Sequence, residues 1–167
     1  MCSKNQAIKN KAKKMYPIKQ PSELIQKLSS SPKACRVQAL KSLKNLVIGN
    51  PKKKQIMADL GIIPILVDIL HNENNAREEE LLIQSAATLG SLAMSEELIP
   101  HILKADPGLI ILTNYLKMIP TPSTKLVEAI ARSVFNILGY TKPQIVQHVD
   151  IVKVSLLFKY IYLFEIG

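Results

Sequence analysis

The sequence predicts an all-α fold in which helical units stack into a right-handed superhelical solenoid. A glycine followed by an apolar segment recurs: Gly61 precedes 62–70, and Gly108 precedes 109–116. The offset of about 46 residues is typical of two- or three-helix repeats. Apolar residues recur at three- and four-residue spacing, and the sequence shows neither period-two alternation nor an Asn-Gly or Asp-Gly hairpin signal.

The segment before the first glycine corner predicts two helices. A short helix begins at Pro21, and Ser31 and Pro32 supply the cap and the first position of a longer helix that runs to about Ile48. Gly49 ends that helix by allowing a left-handed exit. One stripe of the long helix carries apolar residues at helical spacing: Val37, Leu40, Leu43 and Val47.

Two short helices complete this unit. Asn50 and Pro51 repeat the pattern of a cap followed by proline, and a helix of about ten residues reaches Leu60. Gly61 then turns the chain into a second short helix that ends at Leu70.

The next unit repeats the order. A long helix over 76–94 opens with three glutamates, which the helix dipole favours in a first turn. A short helix over 96–105 follows, then an Asp106-Pro-Gly108 turn and a short helix over 109–118.

A third unit begins after a proline-rich break. Ser123 or Thr124 caps a helix that runs through Leu138 and ends at Gly139, and Thr141 has the capping-box spacing that opens one more short helix. One long and two short helices per unit is armadillo geometry. We therefore expect a basic, disordered tail over 1–20, about two complete armadillo repeats with partial flanking ones over 21–150, and an atypical apolar tail over 151–167.

Charge is concentrated at the N-terminus. The net charge is +9, but six lysines and no acid lie in the first 20 residues, which leaves about +3 for the rest. We interpret this as a solvated tail, and the alternative is a short nuclear-import or acidic-partner signal. With 19 lysines against 3 arginines, readout of nucleic-acid bases is disfavoured, because bidentate arginine dominates there.

Composition also bounds the compartment. Cys2 and Cys35 allow no disulfide framework beyond one bridge, and no secretory signal opens the chain. We expect a reducing, cytoplasmic or nuclear location. No apolar run reaches the about 18 residues that a membrane-spanning helix needs.

The last residues depart from the repeat pattern. Val154-Ser155 can be encoded as a splice-donor sequence, and the stretch that follows is rich in Leu, Phe, Ile and Tyr. One hypothesis is that the chain from about 154 onward is translated intron, an artefact of gene prediction. The alternative is a genuine buried terminal helix.

Signals for catalysis are absent from the sequence. It contains no Gly-rich phosphate loop, H-E-x-x-H, C-x-x-C or G-x-S-x-G string. The histidines His71, His101 and His148 fall roughly one repeat apart, so we expect them on similar edges of successive layers rather than around one metal ion. The prediction is a non-enzyme without cofactor, metal or small-molecule ligand.

Two strings carry a more specific resemblance: Lys44-Asn-Leu-Val-Ile-Gly-Asn50 and Leu89-Gly-Ser-Leu-Ala-Met94. With them, residues 21–143 resemble the N-terminal part of the armadillo-repeat-containing protein 8 family. The fungal counterpart of that family is the armadillo subunit of the glucose-induced degradation (GID/CTLH) ubiquitin ligase. Its members are several times longer, so the resemblance implies that this chain corresponds to a fragment.

The resemblance also implies a site. In peptide-binding armadillo proteins the long helices line a concave groove, where an Asn near each helix end bonds an extended peptide backbone. The matching residues are Asn45, Ser91 and Asn136, and an amide offers both donor and acceptor. The alternative is that they cap carbonyls or face solvent. The tryptophan positions of nuclear-import receptors hold Lys41, Ala87 and Arg132 instead, which disfavours basic peptides.

The expected function is therefore that of a non-catalytic scaffold. The resemblance implies a subunit of a ubiquitin ligase that acts in proteasomal degradation, with other ligase subunits and a substrate receptor as partners. The alternatives are a generic armadillo adaptor that binds peptides and an array that binds nucleic acid through its basic N-terminus.

Overall fold

The computed structural model describes residues 21–30, 32–72, 78–117 and 122–140, and regular structure in these ranges is helical throughout. Single 3₁₀ turns over Glu96–Leu98 and Pro107–Leu109 precede α6 and α7. The predictions for 1–20, for Thr141 and for 151–167 lie outside the described residues. The α-helices are α1 Pro21–Ser30, α2 Lys33–Val47, α3 Pro51–Asp59, α4 Ile62–His71, α5 Glu79–Leu92, α6 Ile99–Ala105, α7 Ile110–Lys117 and α8 Thr124–Leu138.

The long-short-short order is confirmed. Helices α2, α3 and α4 form one unit, α5, α6 and α7 form the next, and α8 begins a third. Helix α5 packs between α2 and α8, while α4 packs on α5 and α7 on α8. The equivalent short helices α4 and α7 also touch. The all-α class is thus confirmed, and the right-handed superhelix stays a prediction.

One hydrophobic core runs from α1 to α8. Of the predicted stripe on α2, Leu40, Leu43 and Val47 are buried and Val37 is half-buried against them. Later helices contribute fully buried side chains at the same spacing, among them Leu89. Each leucine so buried contributes about 1.5–3 kcal/mol, which is why packing rather than helix propensity holds these short elements together.

Two predicted caps are confirmed. The side chain of Asn50 accepts a hydrogen bond from the backbone N–H of Lys53 at 3.0 Å, and Pro51 follows it as the first residue of α3. Ser123 Oγ accepts from the N–H of Leu126 at 3.3 Å at the start of α8. Gly49 has φ 65°, which confirms its left-handed exit from α2.

Other boundaries differ from prediction. Pro32 was expected as the first helical residue, and this is wrong: its ψ of 154° is extended, so α2 begins at Lys33. The long second helix is described over Glu79–Leu92, inside the predicted 76–94. The predicted helix over 96–105 is a 3₁₀ turn followed by α6. Pro100 explains this break, because it has no N–H to continue an α-helical bond.

A glycine forms the corner between the two short helices of each unit, and the second corner is stabilised by an additional side chain. Gly61 and Gly108 have φ of 78° and 70°. These values are unfavourable for any residue that has a Cβ atom. Leu109 is also left-handed, at φ 56°. The buried carboxylate of Asp106 compensates by accepting hydrogen bonds from the N–H groups of Ile111 at 3.0 Å and Leu112 at 3.2 Å.

Adjacent units are joined by close helix contacts and by hydrogen bonds between side chain and backbone. A Cβ placed on Gly90 of α5 would lie 2.7 Å from Ser133 Oγ and 3.1 Å from Ser133 Cα on α8. Ser133 Oγ donates to the carbonyl of Ala86 at 2.6 Å. Between α7 and α4, the hydroxyl of Tyr115 donates to the carbonyl of Leu70 at 2.6 Å.

Gly90→Ala is expected to destabilise the protein by about 1–2 kcal/mol. The added methyl overpacks the α5–α8 contact, and this cost exceeds the roughly 1 kcal/mol that alanine gains in helix propensity. Urea unfolding followed by circular dichroism measures the change. Gly139→Ala is the matched control, because its Cβ would meet only backbone oxygens at 3.5 and 3.6 Å. A Gly90→Ala protein as stable as wild type would contradict the tight contact.

Asp106 is expected to make stability depend on pH. Burial raises the pKa of this carboxyl, against the opposing effect of its backbone N–H donors and of His71. The folded state therefore binds the proton more tightly than the unfolded chain. Stability from this group is fully present below the ordinary Asp pKa of about 3.9 and is lost as pH rises through the raised folded pKa.

Asp106→Asn isolates this effect, because every other titratable group is common to both proteins. The wild-type free energy of unfolding minus that of the variant should fall as pH rises from about 4 to 7. Urea titrations across that range measure it. A difference that grows with pH would mean that the N–H donors outweigh burial.

Candidate functional site

The three long helices α2, α5 and α8 lie side by side and enclose a groove, here named the long-helix groove. Its apolar end has a volume of about 410 Å³. Its lining includes the small residues Ala87, Gly90 and Ala129. Because these residues lack bulk, the helices approach closely and leave space above them.

Two large apolar side chains stand exposed at this end. Ile48 follows α2 and Met94 follows α5, and both line the cavity. Their exposed fractions are 59% and 63%. They lie about 46 residues apart, one repeat. An apolar pair of this kind on a groove wall is a feature of surfaces that bind other molecules.

Charged and amide side chains connect α2 to α5 beside the groove. Lys44 Nζ donates to Gln84 Oε1 at 3.0 Å, and Gln84 Nε2 donates to Glu80 Oε1 at 3.1 Å. Lys41 Nζ lies 2.8 Å from the same Glu80 oxygen. The hydrogen bond from Lys41 is the main reason that the pKa of Glu80 is lowered. Gln84 is buried, whereas the Lys41–Glu80 ion pair is exposed and contributes little to stability.

The groove continues to the N-terminal ends of the same helices. A second cavity there, of about 620 Å³, is lined by Lys33, Glu79 and Ser123 and shares Ile83 and Lys125 with the apolar end. Ser123 Oγ donates to Glu79 Oε1, which joins α8 to α5. The long-helix groove therefore runs the length of the three helices, apolar at one end and mixed in charge at the other.

The structure brings two of the three predicted contact residues together. Ser91 and Asn136 both line the apolar end, whereas Asn45 is exposed on α2 and is not among its lining residues. Ser91 Oγ donates to the carbonyl of Ala87 at 2.9 Å. Asn136 Nδ2 donates to the carbonyl of Gly90 at 3.0 Å. Ser91 thus uses its hydroxyl hydrogen within the protein, and Asn136 uses one of its two amide hydrogens.

Sequence reasoning did not identify Ile48 and Met94. Both follow the last buried residue of a long helix, Val47 and Leu92, by one or two positions. The available signal was their spacing of one repeat at a place where the apolar stripe should have ended. From the sequence alone, both residues are expected to belong to the buried core, because the ends of the helices are not yet known.

No cluster of three or more His, Cys, Asp or Glu side chains that could hold a metal ion occurs among the described residues. His71 and His101 are exposed on separate helices, and His148 lies outside the described ranges. In the same part of the chain, no helix is long and apolar enough to cross a membrane.

The fold and groove define a helical repeat protein with a recessed surface between its long helices. Comparison with known proteins shows which member of this class the chain is similar to. The chain is similar to armadillo repeat-containing protein 8 of Mus musculus, at 34% identity over 107 residues, which is 64% of this chain and 15% of the mouse protein. It is also similar to the protein of the same name from Pongo abelii, at 34% identity over 96 residues. That match covers 58% of this chain and 14% of the Pongo abelii protein.

The resemblance inferred from the sequence is thereby confirmed. The chain spans about 15% of the length of the curated relatives it matches. No family model matches it.

Asn136→Ala tests whether the predicted contact residue has a structural role. Loss of its hydrogen bond to the Gly90 carbonyl should lower the free energy of unfolding by about 1 kcal/mol. Asn45→Ala is the control, since Asn45 is exposed in the helix and alanine is the better helix former. Urea unfolding of both variants measures the difference. Equal effects of the two substitutions would contradict the assignment.

Proposed function

We propose that this chain is a non-catalytic, protein-binding armadillo scaffold and part of a GID/CTLH-type ubiquitin ligase that acts in proteasome-dependent degradation. The observation that carries the protein-binding part is the long-helix groove, which exposes Ile48 and Met94 at equivalent places of successive repeats. The ligase assignment is supported by the similarity to armadillo repeat-containing protein 8.

In such a complex this chain would hold proteins in place rather than act on ubiquitin. An open groove between helices offers a long contact surface, on which a few residues supply most of the affinity. Ser91 and Asn136 remain candidate contacts at the apolar end, and Asn45 is a candidate on the exposed face of α2. The proposed partners are other ligase subunits and a substrate receptor. The proposed location is the cytoplasm, the nucleus or both.

The chemistry of the groove supports a binding role. Several of its titratable groups form ion pairs, such as Lys41 with Glu80 and Arg132 with Glu128. Catalysis requires a nucleophile and a base that converge on one reacting atom. In the groove, the Ser123 hydroxyl donates to the Glu79 carboxylate. The same Ser123 oxygen caps α8 by accepting from the N–H of Leu126, so we assign this pair a structural role. The proposal assigns no cofactor, metal or small-molecule ligand.

Affinity purification tests the ligase assignment. The product of the full-length locus, tagged at its own chromosomal position, is isolated from its own cells and its partners are identified by mass spectrometry. Recovery of RING and LisH-CTLH subunits is expected. Recovery of importins, cadherin-type tails or RNA instead would replace the assignment.

A second candidate is nucleic-acid binding, favoured by a pI of about 9.6 and by the six lysines of residues 1–20. Binding through that segment alone should weaken steeply with salt and disappear when 1–20 are deleted. Electrophoretic mobility shifts at two salt concentrations measure it. Selective binding that survives the deletion would favour the nucleic-acid function over the scaffold.

A further inference from the structure

The polar residues of the apolar end are poorly suited to hold an extended peptide through its backbone. The Ser91 hydroxyl and the Asn136 amide N–H both donate to carbonyls of α5. Asn45 does not line this cavity. The hydroxyl hydrogen of Ser91 and one of the two amide hydrogens of Asn136 are therefore used within the protein. This weakens recognition of a peptide backbone by these residues and favours recognition through side chains.

Exposed apolar side chains provide the first means of recognition at this end. Ile48 and Met94 are more than half exposed on the cavity wall, although both are large apolar side chains. Met94 carries a flexible, polarisable thioether that adapts to differently shaped apolar partners. The volume of about 410 Å³ is within the range of pockets that enclose a ligand group. The cavity thus fits a large aliphatic or aromatic side chain.

The charged residues of the lining provide the second means of recognition. Three cations, Lys44, Lys125 and Arg132, face one carboxylate, Glu128. Arg132 Nη2 lies 2.6 Å from Glu128 Oε1, so that pair is internally neutralised. Lys44 Nζ bonds the neutral amide of Gln84. Lys125 also interacts with Glu80 of the other cavity, but Glu80 does not line this end. The lining of this end therefore keeps an excess of positive charge, which favours an acidic occupant.

We propose that the apolar end of the long-helix groove binds a protein segment through its side chains, as an aliphatic or aromatic anchor seated against Ile48 and Met94 with a neighbouring Asp or Glu beside Lys44 and Lys125. This inference rests on the proposed protein-binding function and specifies the partner by chemistry. It differs from recognition of the peptide backbone by a ladder of asparagines.

Peptide selection tests the chemistry directly. A random octapeptide library displayed on phage is selected against the whole 167-residue chain and counter-selected against the Met94→Ser/Lys44→Glu double variant. Enriched peptides should carry a Leu, Ile, Met, Phe or Trp next to Asp or Glu. Enrichment of Lys and Arg, or no enrichment over the counter-selected pool, would overturn the proposal.

Matched variants then locate the binding of the best enriched peptide by fluorescence anisotropy. Met94→Ser should raise Kd about tenfold, because it removes most of the apolar contact. Ile56→Ser is its control, since Ile56 is 43% exposed on α3 outside the groove. Lys44→Glu should raise Kd about fivefold and reduce its salt dependence, whereas Lys52→Glu on α3 should change neither.

Methyl NMR shows whether another occupant is already present. In protein labelled at the methionine methyl carbon, the Met94 signal, assigned from Met94→Leu, should shift with peptide while that of buried Met57 does not. A Met94 signal that shifts on dilution of the free protein would indicate a second copy in the groove and overturn the proposal. If the peptide tests fail while the purified locus product retains its RING and LisH-CTLH partners, only this inference falls.

Discussion

The close approach of α5 to α8 is the constraint on which the rest of the structure depends. Gly90 has no side chain, so α8 can place Ser133 where a Cβ would lie 2.7 Å away. At this distance Ser133 and Asn136 reach the carbonyls of Ala86 and Gly90. Each bond uses a carbonyl of one long helix to fix the next, which sets the spacing of the units. Gly90 and Ser133 also line the apolar end of the long-helix groove. The close packing of α5 on α8 and the shape of the groove therefore share one cause.

Both described corners between the short helices solve one geometric problem with different supporting contacts. Gly61 makes its turn with a single left-handed residue, whereas Gly108 is followed by a left-handed leucine. The second corner depends on the buried carboxylate of Asp106, which caps α7 through two N–H groups. A buried acid is costly unless it is hydrogen-bonded. Its presence here is therefore structural, and it explains why an acid precedes proline and glycine in this turn.

The groove combines features that a free surface would not favour. Ile48 and Met94 remain exposed beyond the ends of their helices. Lys44, which is positioned by Gln84, and Lys125 line the same cavity. Exposed apolar and cationic groups side by side suit a segment that carries both an apolar and an acidic side chain. The match to armadillo repeat-containing protein 8 of Mus musculus spans 15% of that longer protein.

Local chemistry in the sequence determined the helical class, the long-short-short order and the corners, because caps, glycines and three-to-four spacing act within a few residues. It determined the cap Asn50 for the same reason. It left Ser123 and Thr124 open as the cap of α8, and the structure shows Ser123. Only the tertiary structure decided that Asn136 bonds the carbonyl of Gly90, because that contact joins residues 46 positions apart. It also decided that Ile48 and Met94 are exposed. An apolar residue just beyond a helix reads as core until the packing of neighbouring helices shows which side is covered.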